Sequence, residues 1–350
     1  DPQPVLLFSP LTLRGVTIRN RIMLAPMNQH WTKDGAADDW LLVHLGKFAL
    51  GGFGIVCTEA TAIEPRGRVG YGDLGIWSDD HIPGLRRVTQ FIRAQGATSA
   101  VQLAHSGRKG GSQRPWEGFG PLGESDAARG EPPWSLVGPT TDPAGPGHPT
   151  PEALSDASIE SILDAYANAA ARADAAGFDM IEVHGGHGYL VASFLSPISN
   201  TRNDRWGGDL TGRMRFGLEV ARAIRSRWPE NKPLAFRISS VDGHPQGWQI
   251  ADSIVFAREL SACGVDIVDC SSGGLRGVAA LESADRQPGY QVPYAAQIRR
   301  EAGVPTIAVG LILDGRQAET ILQRGEADVV ALARQALYDP FWPLHAAQLL

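Results

Sequence analysis

The sequence has little of what marks metal-binding, secreted or membrane proteins. Its 350 residues include three cysteines, Cys57, Cys263 and Cys270, and no C-x-x-C pair. This disfavours an iron–sulfur cluster or a structural zinc site, and isolated cysteines suit a reducing compartment. No apolar run approaches the roughly 18 residues of a membrane-spanning helix, and residues 1–10 lack the pattern of a secretion signal. We therefore expect a cytoplasmic protein.

A basic segment is also missing. The chain has 32 Lys and Arg against 38 Asp and Glu, a formal net charge of −6, which argues against nucleic acid or an anionic membrane as a partner. No predicted loop carries the G-x-G-x-x-G fingerprint of open dinucleotide-binding sheets. Hydrophobic residues make up 43% of the chain, enough for a large core without disulfides or metal.

Eight short apolar segments recur along the chain and predict parallel strands buried on both faces. They are Arg21–Met27, Gly54–Ile63, Thr98–His105, Asp179–Gly185, Pro233–Ser240, Asp266–Ser272, Pro305–Gly310 and Asp328–Arg334. Segments of helical period alternate with them: Asp38–Leu50, Pro83–Ala94, Ser158–Ala176, Leu210–Arg227, Ala251–Ala262, Tyr294–Ala302, Gly315–Gln323 and Pro340–Leu349. This alternation predicts a single α/β domain, a closed (β/α)8 TIM barrel. An open doubly wound sheet is the alternative.

Two segments fall outside the repeat. Leu6–Arg21 alternates in polarity around Gly15 and predicts a β-hairpin that precedes the barrel. Ser106–Ser155, after the third strand, contains 9 Pro and 10 Gly in 50 residues, a composition that predicts neither a helix nor a sheet. Long loops of this kind are usually functional lids or disordered segments, so we expect a cover over the site, with a solvated excursion as the alternative. We expect Leu275–Gln287 to shape the same pocket.

Catalytic groups of such barrels lie at the carboxyl ends of the strands. The fourth predicted strand ends in H-G-G-H-G-Y, which places His184, His187 and Tyr189 within six residues. Two imidazoles and a phenol supply hydrogen-bond donors and a transferable proton. The intervening glycines allow tight turns and close approach of a ligand. The pattern predicts a substrate with an oxygen to hold and a carbon to protonate.

The last two strand ends predict an anion site. Gly310 follows the seventh strand and Arg334 ends the eighth, where barrels usually bind phosphate. Backbone N–H groups can surround an anion there, and a guanidinium can bind it through two hydrogen bonds. A salt bridge at the barrel rim is the alternative role of Arg334.

Two other functions are compatible with a barrel. A metal-dependent hydrolase could take ligands from Glu59, His105, His184 and His187. The missing H-x-H after the first strand and the fixed cation of Arg237 at the same mouth argue against it. A barrel that only binds ligands would have lost Tyr189, Arg237 or both imidazoles, and all of them are present.

Ordered motifs along nearly the whole chain resemble the old yellow enzyme family of flavin-dependent ene-reductases, in particular its thermophilic-like bacterial branch. They are L-A-P-M at Leu24–Met27, G-I-V-C-T-E-A-T-A at Gly54–Ala62, Q-L-A-H-S-G-R-K at Gln102–Lys109, H-G-G-H-G-Y-L at His184–Leu190, F-L-S-P-I-S-N-T-R-N-D at Phe194–Asp204, F-R-I-S at Phe236–Ser239, D-C-S-S-G-G at Asp269–Gly274 and P-G-Y-Q-V-P at Pro288–Pro293.

The resemblance implies a non-covalent FMN across the barrel mouth and NAD(P)H as the reductant. The residues that it assigns to FMN are Ala25, Pro26, Met27, Asn28, Ala60, Gln102, Arg237, Gly273, Gly310, Ala333 and Arg334. It also implies reduction of an activated C=C bond in a small α,β-unsaturated carbonyl compound. His184 and His187, with His30, would bind the substrate, flavin N5 would deliver hydride, and Tyr189 would protonate the other carbon.

Four positions depart from the family pattern. Asn28 replaces a common cysteine, and His30 replaces a common tyrosine. Ala333 replaces a phosphate-loop glycine, which is tolerable where its φ is negative. Leu344 stands where some relatives extend an arginine into a neighbouring subunit, so we do not expect a shared active site. A homodimer is the expected assembly, with a tetramer as the alternative.

Overall fold

The computed structural model describes residues 4–276 and 286–350. Eight strands, one inside each predicted segment, form a parallel sheet. The sheet closes into a barrel because the first and second of these strands, Ile22–Leu24 and Ile55–Ala62, also pair with each other. In chain order they are β3 Ile22–Leu24, β4 Ile55–Ala62, β6 Thr98–Ala104, β9 Met180–Gly185, β10 Leu234–Ser239, β11 Ile267–Ser271, β12 Thr306–Val309 and β13 Val329–Leu332. The predicted TIM barrel is confirmed, and the open sheet is wrong.

Helices separate the barrel strands. They are α1 Asp39–Leu50, α2 Ile82–Ala94, α3 Glu124–Ala128, α4 Asp156–Ala175, α5 Leu190–Leu195, α6 Leu210–Arg225, α7 Ile250–Ala262, α8 Val292–Ala302, α9 Gly315–Gln323, α10 Arg334–Tyr338 and α11 Trp342–Leu349. Helix α4 begins two residues before its predicted start because Ser155 Oγ caps it, accepting from Ser158 N–H. Two short helices, α5 and α10, were missed. The eighth strand was predicted to reach Arg334, which instead begins α10.

The N-terminal hairpin is present, as predicted. Strands β1 (Leu11–Leu13) and β2 (Val16–Ile18) pair antiparallel around a turn at Arg14 and Gly15. Leu13 and Ile18 join a core cluster inside the barrel that takes at least one residue from each barrel strand, among them Met23, Ile55, Ala100, Met180, Ala235, Ile267, Ile307 and Val329. This apolar layer fills the barrel interior, and the polar residues discussed below lie nearer the strands' carboxyl ends.

The long loop insertion after the third barrel strand is also present and carries some regular structure. It contains α3 and two short paired strands, β7 (Val137–Gly138) and β8 (Glu152–Ala153). The expectation that it would hold neither helix nor sheet was therefore wrong. Isolated 3-10 turns lie at Leu6–Phe8, Pro65–Gly67, Asp79–His81, Gly107–Lys109 and Pro115–Glu117, and a short strand β5 (Leu74–Gly75) pairs with β4. None of the described helices is long and apolar enough to span a membrane.

Candidate active site

Two cavities meet at the carboxyl ends of the barrel strands. Their volumes are about 480 and 250 Å³, within the range of small-molecule sites. His187 and Arg237 line both cavities, so we treat the two as one groove. Most of the predicted site residues line it: Pro26, Asn28, His30, Ala60, Gln102, His184, His187, Tyr189, Arg237, Gly310, Ala333 and Arg334.

Three predicted residues are absent from the lining of these two cavities. Ala25 is buried and donates its N–H to Leu332 O. Met27 packs against the core between strands and helices. Gly273 takes a left-handed φ of +70° and accepts a hydrogen bond from Ser239 Oγ at its carbonyl.

The smaller cavity brings His184, His187 and Tyr189 together. The ring of His184 lies 5.2 Å from that of His187 and 4.9 Å from that of Tyr189, measured between centroids, in edge-on arrangements. His184 Nδ1 accepts from Gly186 N–H, so a neutral ring carries its proton on Nε2. His187 Nε2 shares a 2.7 Å hydrogen bond with Ser271 Oγ, which fixes the ring.

The imidazoles are neutral and the phenol is protonated. Burial, with Arg237 and Lys109 nearby, lowers the pKa of His184 to about 3. Burial and the charge of Arg237 hold the pKa of His187 well below its usual value. Burial, reinforced by Asp73, raises the pKa of Tyr189 to about 12. At neutral pH the site therefore presents N–H and O–H donors without a charge on these three rings.

Beneath the groove, Arg237 meets two buried carboxyl groups. Its Nε lies 3.6 Å from Asp269 Oδ2, and Glu182 Oε1 accepts a 2.9 Å hydrogen bond from Gln102 Nε2. Burial raises the pKa of both carboxyl groups, and the charge of Arg237 opposes that rise. Arg237 Nε faces Asp269 without a hydrogen bond, and the residue lines both cavities, so the rest of its guanidinium is available to a ligand in the groove.

The larger cavity is shaped by backbone and small residues. Gly310 adopts a φ of +112°, and a Cβ added there would lie 2.6 Å from Gln291 Nε2. Ala333 has a φ of −117°, which meets the condition under which alanine can replace the family's glycine. Arg334 begins helix α10 and faces the same cavity. No salt bridge of Arg334 occurs among the described residues, so the rim salt-bridge alternative is not supported.

The segment that follows β3 forms one wall of the groove, and a hydrogen bond joins it to β4. Asn28 Oδ1 accepts from Ala60 N–H at 3.2 Å, so the amide that stands in place of the family's cysteine holds the end of β4. His30 has a left-handed φ of +55° and lines the smaller cavity. Phe119, from the insertion, lines that cavity too, and its ring centroid is 6.3 Å from that of His30. The insertion therefore contributes to the wall of the groove.

Sequence reasoning missed several groove residues. Ser271, Ser272 and Gln291 belong to the D-C-S-S-G-G and P-G-Y-Q-V-P motifs, which could have indicated them. Phe119 and Val69 carry no motif signal. Lys109, buried, donates to the carbonyls of His187 and Gly274, and burial lowers its pKa to about 7. Of the segment Leu275–Gln287, residues 277–285 lie outside the described part of the chain.

The metal-site alternative is not supported. In residues 4–276 and 286–350 no group of three or more His, Cys, Asp or Glu side chains is arranged to hold a metal ion. His105 instead bonds Glu64 through Nε2 at 2.7 Å, and Glu59 accepts from the backbone N–H of Gln29.

Comparison with known proteins is consistent across sequence and structure. The profile of the NADH:flavin oxidoreductase / NADH oxidase family matches residues 6–350. An NADPH dehydrogenase of Geobacillus thermodenitrificans is 43% identical over 345 residues, which cover 98% of this chain and 94% of the relative. An NADPH dehydrogenase of Bacillus licheniformis is 41% identical over 348 residues, with the same coverage of 98% and 94%.

Solved structures show the same architecture. Morphinone reductase in complex with tetrahydroNAD is 26% identical, with a TM-score of 0.80, over 98% of this chain and 90% of that one. The old yellow enzyme homologue from Zymomonas mobilis, at 23% identity, supports the fold alone, with a TM-score of 0.80 over 98% of this chain and 92% of that one.

Proposed function

Because the chain belongs to the NADH:flavin oxidoreductase / NADH oxidase family, we propose that it reduces activated C=C bonds of α,β-unsaturated carbonyl compounds. It is a flavin-dependent oxidoreductase that uses FMN and NAD(P)H. When bound, FMN supplies the hydride that reduces the substrate. The roles that we propose for individual residues rest on the contacts and burial of the side chains that line the groove.

The residues present fit such a flavin. Arg237, which lines both cavities, supplies a cation beside which a reduced flavin ring would carry negative charge. Gln102, Asn28 and Ala60 offer amide groups along the smaller cavity. At the other end, Gly310, Ala333 and Arg334 offer backbone N–H groups and a guanidinium for the phosphate. These residues are the proposed cofactor site, together with Pro26, Ala25, Met27 and Gly273.

His184 and His187 are the proposed holders of the substrate's carbonyl oxygen. Both rings are neutral and edge-on to each other at 5.2 Å between centroids. Neutral N–H donors on that oxygen stabilise the negative charge that develops there during reduction. His30, on the wall of the same cavity, is the proposed third contact.

Tyr189 is the proposed proton donor. It lines the cavity 4.9 Å from the His184 ring, measured between centroids, and its high pKa keeps the proton in place until a basic carbon is present. Lys109 Nζ lies over the face of the Tyr189 ring, 5.0 Å from its centroid. The joint presence of two neutral imidazoles and one phenol in a single cavity is the observation that carries this proposal.

Separate measurement of the two half-reactions tests the proposal. The Tyr189→Phe holoenzyme is first reduced by NADPH without oxygen and then mixed with 2-cyclohexenone, with both rates followed by flavin absorbance. We expect the second rate to fall by about 10²–10⁴, the usual contribution of a positioned acid. Reduction by NADPH should stay near the wild-type rate, because no carbon is protonated in that step.

Tyr71→Phe is the matched control, since the Tyr71 hydroxyl donates to Pro132 O outside the groove. Equal slowing of both half-reactions in Tyr189→Phe would contradict the role of Tyr189 as proton donor. A wild-type enzyme that is reduced by NADPH but is not reoxidised by any enone or maleimide would contradict the substrate class.

A further inference from the structure

Two carboxyl groups are buried inside the barrel on either side of Arg237. Glu182 on β9 and Asp269 on β11 lie on the two strands that pair with β10, which carries Arg237. Both acids are fully buried, and neither lines a cavity of the groove. Two acids in the interior of a barrel are costly, and the proposed function alone gives them no role.

Three of their four carboxyl oxygens have no hydrogen-bond partner among the residues that the structure describes. Glu182 Oε1 accepts from Gln102 Nε2 at 2.9 Å, but Glu182 Oε2 and both oxygens of Asp269 accept from no donor. Arg237 Nε lies 3.6 Å from Asp269 Oδ2, which is too long for a hydrogen bond. Two ionised carboxylates would therefore leave three buried acceptors unsatisfied, with two negative charges against the single charge of Arg237.

One shared proton removes both difficulties. A hydroxyl on Glu182 that donates to Asp269 satisfies two of the three free oxygens and leaves one carboxylate to face one cation. The two groups are close enough for this, because each acts on the pKa of the other as a hydrogen-bond partner. Burial raises the pKa of Glu182 well above its usual value, and the charge of Asp269 raises it further. Arg237 opposes the rise that burial causes in the pKa of Asp269, so Asp269 is the carboxylate.

We propose that Glu182 and Asp269 hold a single proton between them, and that the remaining carboxylate limits how strongly Arg237 stabilises reduced FMN. The proposal rests on the proposed function, since it places Arg237 beside the flavin. Both acids are positioning residues. Asp269 acts through Arg237, and Glu182 acts through Asp269 and through Gln102, which lines the smaller cavity.

A carboxylate beside Arg237 lowers the reduction potential of the flavin. Reduction places negative charge on the flavin ring, and a neighbouring cation stabilises that charge. The carboxylate of Asp269 offsets part of the cation's field, and this offset is larger inside the barrel than in water because screening is weaker there. A lower potential makes reduced FMN a stronger hydride donor to the substrate and oxidised FMN a weaker acceptor from NAD(P)H.

Cys57 on β4 is a further ionisable group that faces the pair. Burial raises the pKa of its thiol well above the usual value, and the charges of Glu182 and Asp269 raise it further. His184, which pairs with Arg237 across β9 and β10, has a pKa of about 3. Both groups are therefore neutral at pH 7, so the charge that reaches the groove depends on Arg237 and on the proton of the acid pair.

The midpoint potential of bound FMN tests the charge of the pair. Glu182→Gln replaces one carboxyl group with an amide that can still accept from Gln102 and donate to Asp269, so it removes the shared proton without changing the net charge. Its potential should stay near that of the wild-type holoenzyme. Glu182→Gln/Asp269→Asn removes the carboxylate as well. We expect this double variant to bind reduced FMN, relative to oxidised FMN, at least tenfold more tightly than Glu182→Gln does, a rise of about 30 mV.

The potentials are read from flavin absorbance during anaerobic equilibration with a reference dye. Glu59→Gln is the matched control, because Glu59 is a buried acid whose charged neighbour is Asp73 and which lines neither cavity. It should keep the wild-type potential. Infrared spectroscopy of the holoenzyme detects the shared proton directly, since a protonated carboxyl group has a C=O band distinct from that of a carboxylate. The wild type should show one such band that Glu182→Gln lacks.

A potential that rises in Glu182→Gln as far as in the double variant would show two carboxylates and overturn the shared proton. Loss of no carboxylic acid band in Glu182→Gln would overturn it as well, and this measurement requires only the single variant to fold. A lost band together with a wild-type potential in the double variant would refute the action on FMN, and with it the placement of Arg237 beside the flavin. Failure of every enone to reoxidise the wild type would refute the proposed substrate class and would leave these potentials unchanged.

Discussion

The two cavities of the groove are lined by different kinds of residue. The larger one is lined by Gly310, Ala333 and Arg334 at the ends of β12 and β13, together with apolar and aromatic side chains such as Leu313 and Tyr290. The smaller one is lined by His30, His184, His187 and Tyr189. One end therefore offers fixed N–H groups and a permanent cation, which suit binding. The other offers ionisable groups held neutral, which suit chemistry. Arg237 belongs to both.

The largest expected effect follows from substituting Arg237, which lines both cavities. Arg237→Leu removes the cation that faces the buried Asp269 and Glu182. Removing one partner of a buried charged pair costs roughly 3–5 kcal/mol, so we expect the free energy of unfolding to fall by about that amount and FMN to be lost on purification. Denaturant unfolding and the flavin content measure the two effects. Arg237→Lys, which keeps the charge, should retain FMN in part. Full flavin content and unchanged unfolding in Arg237→Leu would refute the bridging role.

The second effect should stay within the larger cavity. Gly310→Ala places a methyl group 2.6 Å from Gln291 Nε2 and 3.0 Å from Tyr290 Cε1. Overpacking of this kind costs roughly 1–3 kcal/mol, and we expect FMN affinity to fall at least tenfold in a titration of the apoprotein. Gly147→Ala is the matched control, since Gly147 has a φ of +78° but nothing within 4 Å of an added Cβ. Equal loss of FMN affinity in both variants would show backbone strain, not the shape of the cavity wall.

The smallest expected effect is on the pH dependence of stability, and it concerns His184 in the smaller cavity. His184 has a pKa of about 3 against a reference of 6.5. As pH falls below 6.5, the unfolded chain binds a proton there that the folded chain does not, so the folded state loses stability. His184→Asn removes this loss. Between pH 6.5 and 5 the variant should lose roughly 1–2 kcal/mol less than the wild type, measured by denaturant unfolding.

His148→Asn, at a histidine of the insertion that lines neither cavity, is the control for the loss of a histidine as such. A slope in His184→Asn equal to the wild-type slope would mean that His184 titrates normally and is not held neutral by burial.

The barrel was predictable because its strands are buried on both faces and read as continuous apolar runs. The ends of the strands and helices were less predictable. Ala333 continues the apolar pattern of β13, yet that strand ends at Leu332 and Arg334 begins α10, because the backbone turns at Ala333 in a way that periodicity does not encode. The strand-end rule likewise located His184, Gln102 and Arg237. The homodimer and the cytoplasmic location stay predictions.

The pairing of Glu182 with Asp269 could not be found from the sequence. Each is a single carboxylate in an apolar strand, and its meaning depends on Arg237 lying on the strand between them.

A phenol titration of the purified protein tests most directly whether a flavin and the imidazole pair share the groove. We predict that the purified protein has a flavin absorbance spectrum. We also predict a new long-wavelength band when phenol is added, because a bound phenolate would stack on the oxidised flavin ring. His184→Ala should weaken phenol binding at least tenfold, the loss of one hydrogen bond to a charged group, while His148→Ala should not. A colourless protein that also fails to bind added FMN, or a phenol affinity unchanged in His184→Ala, would contradict it.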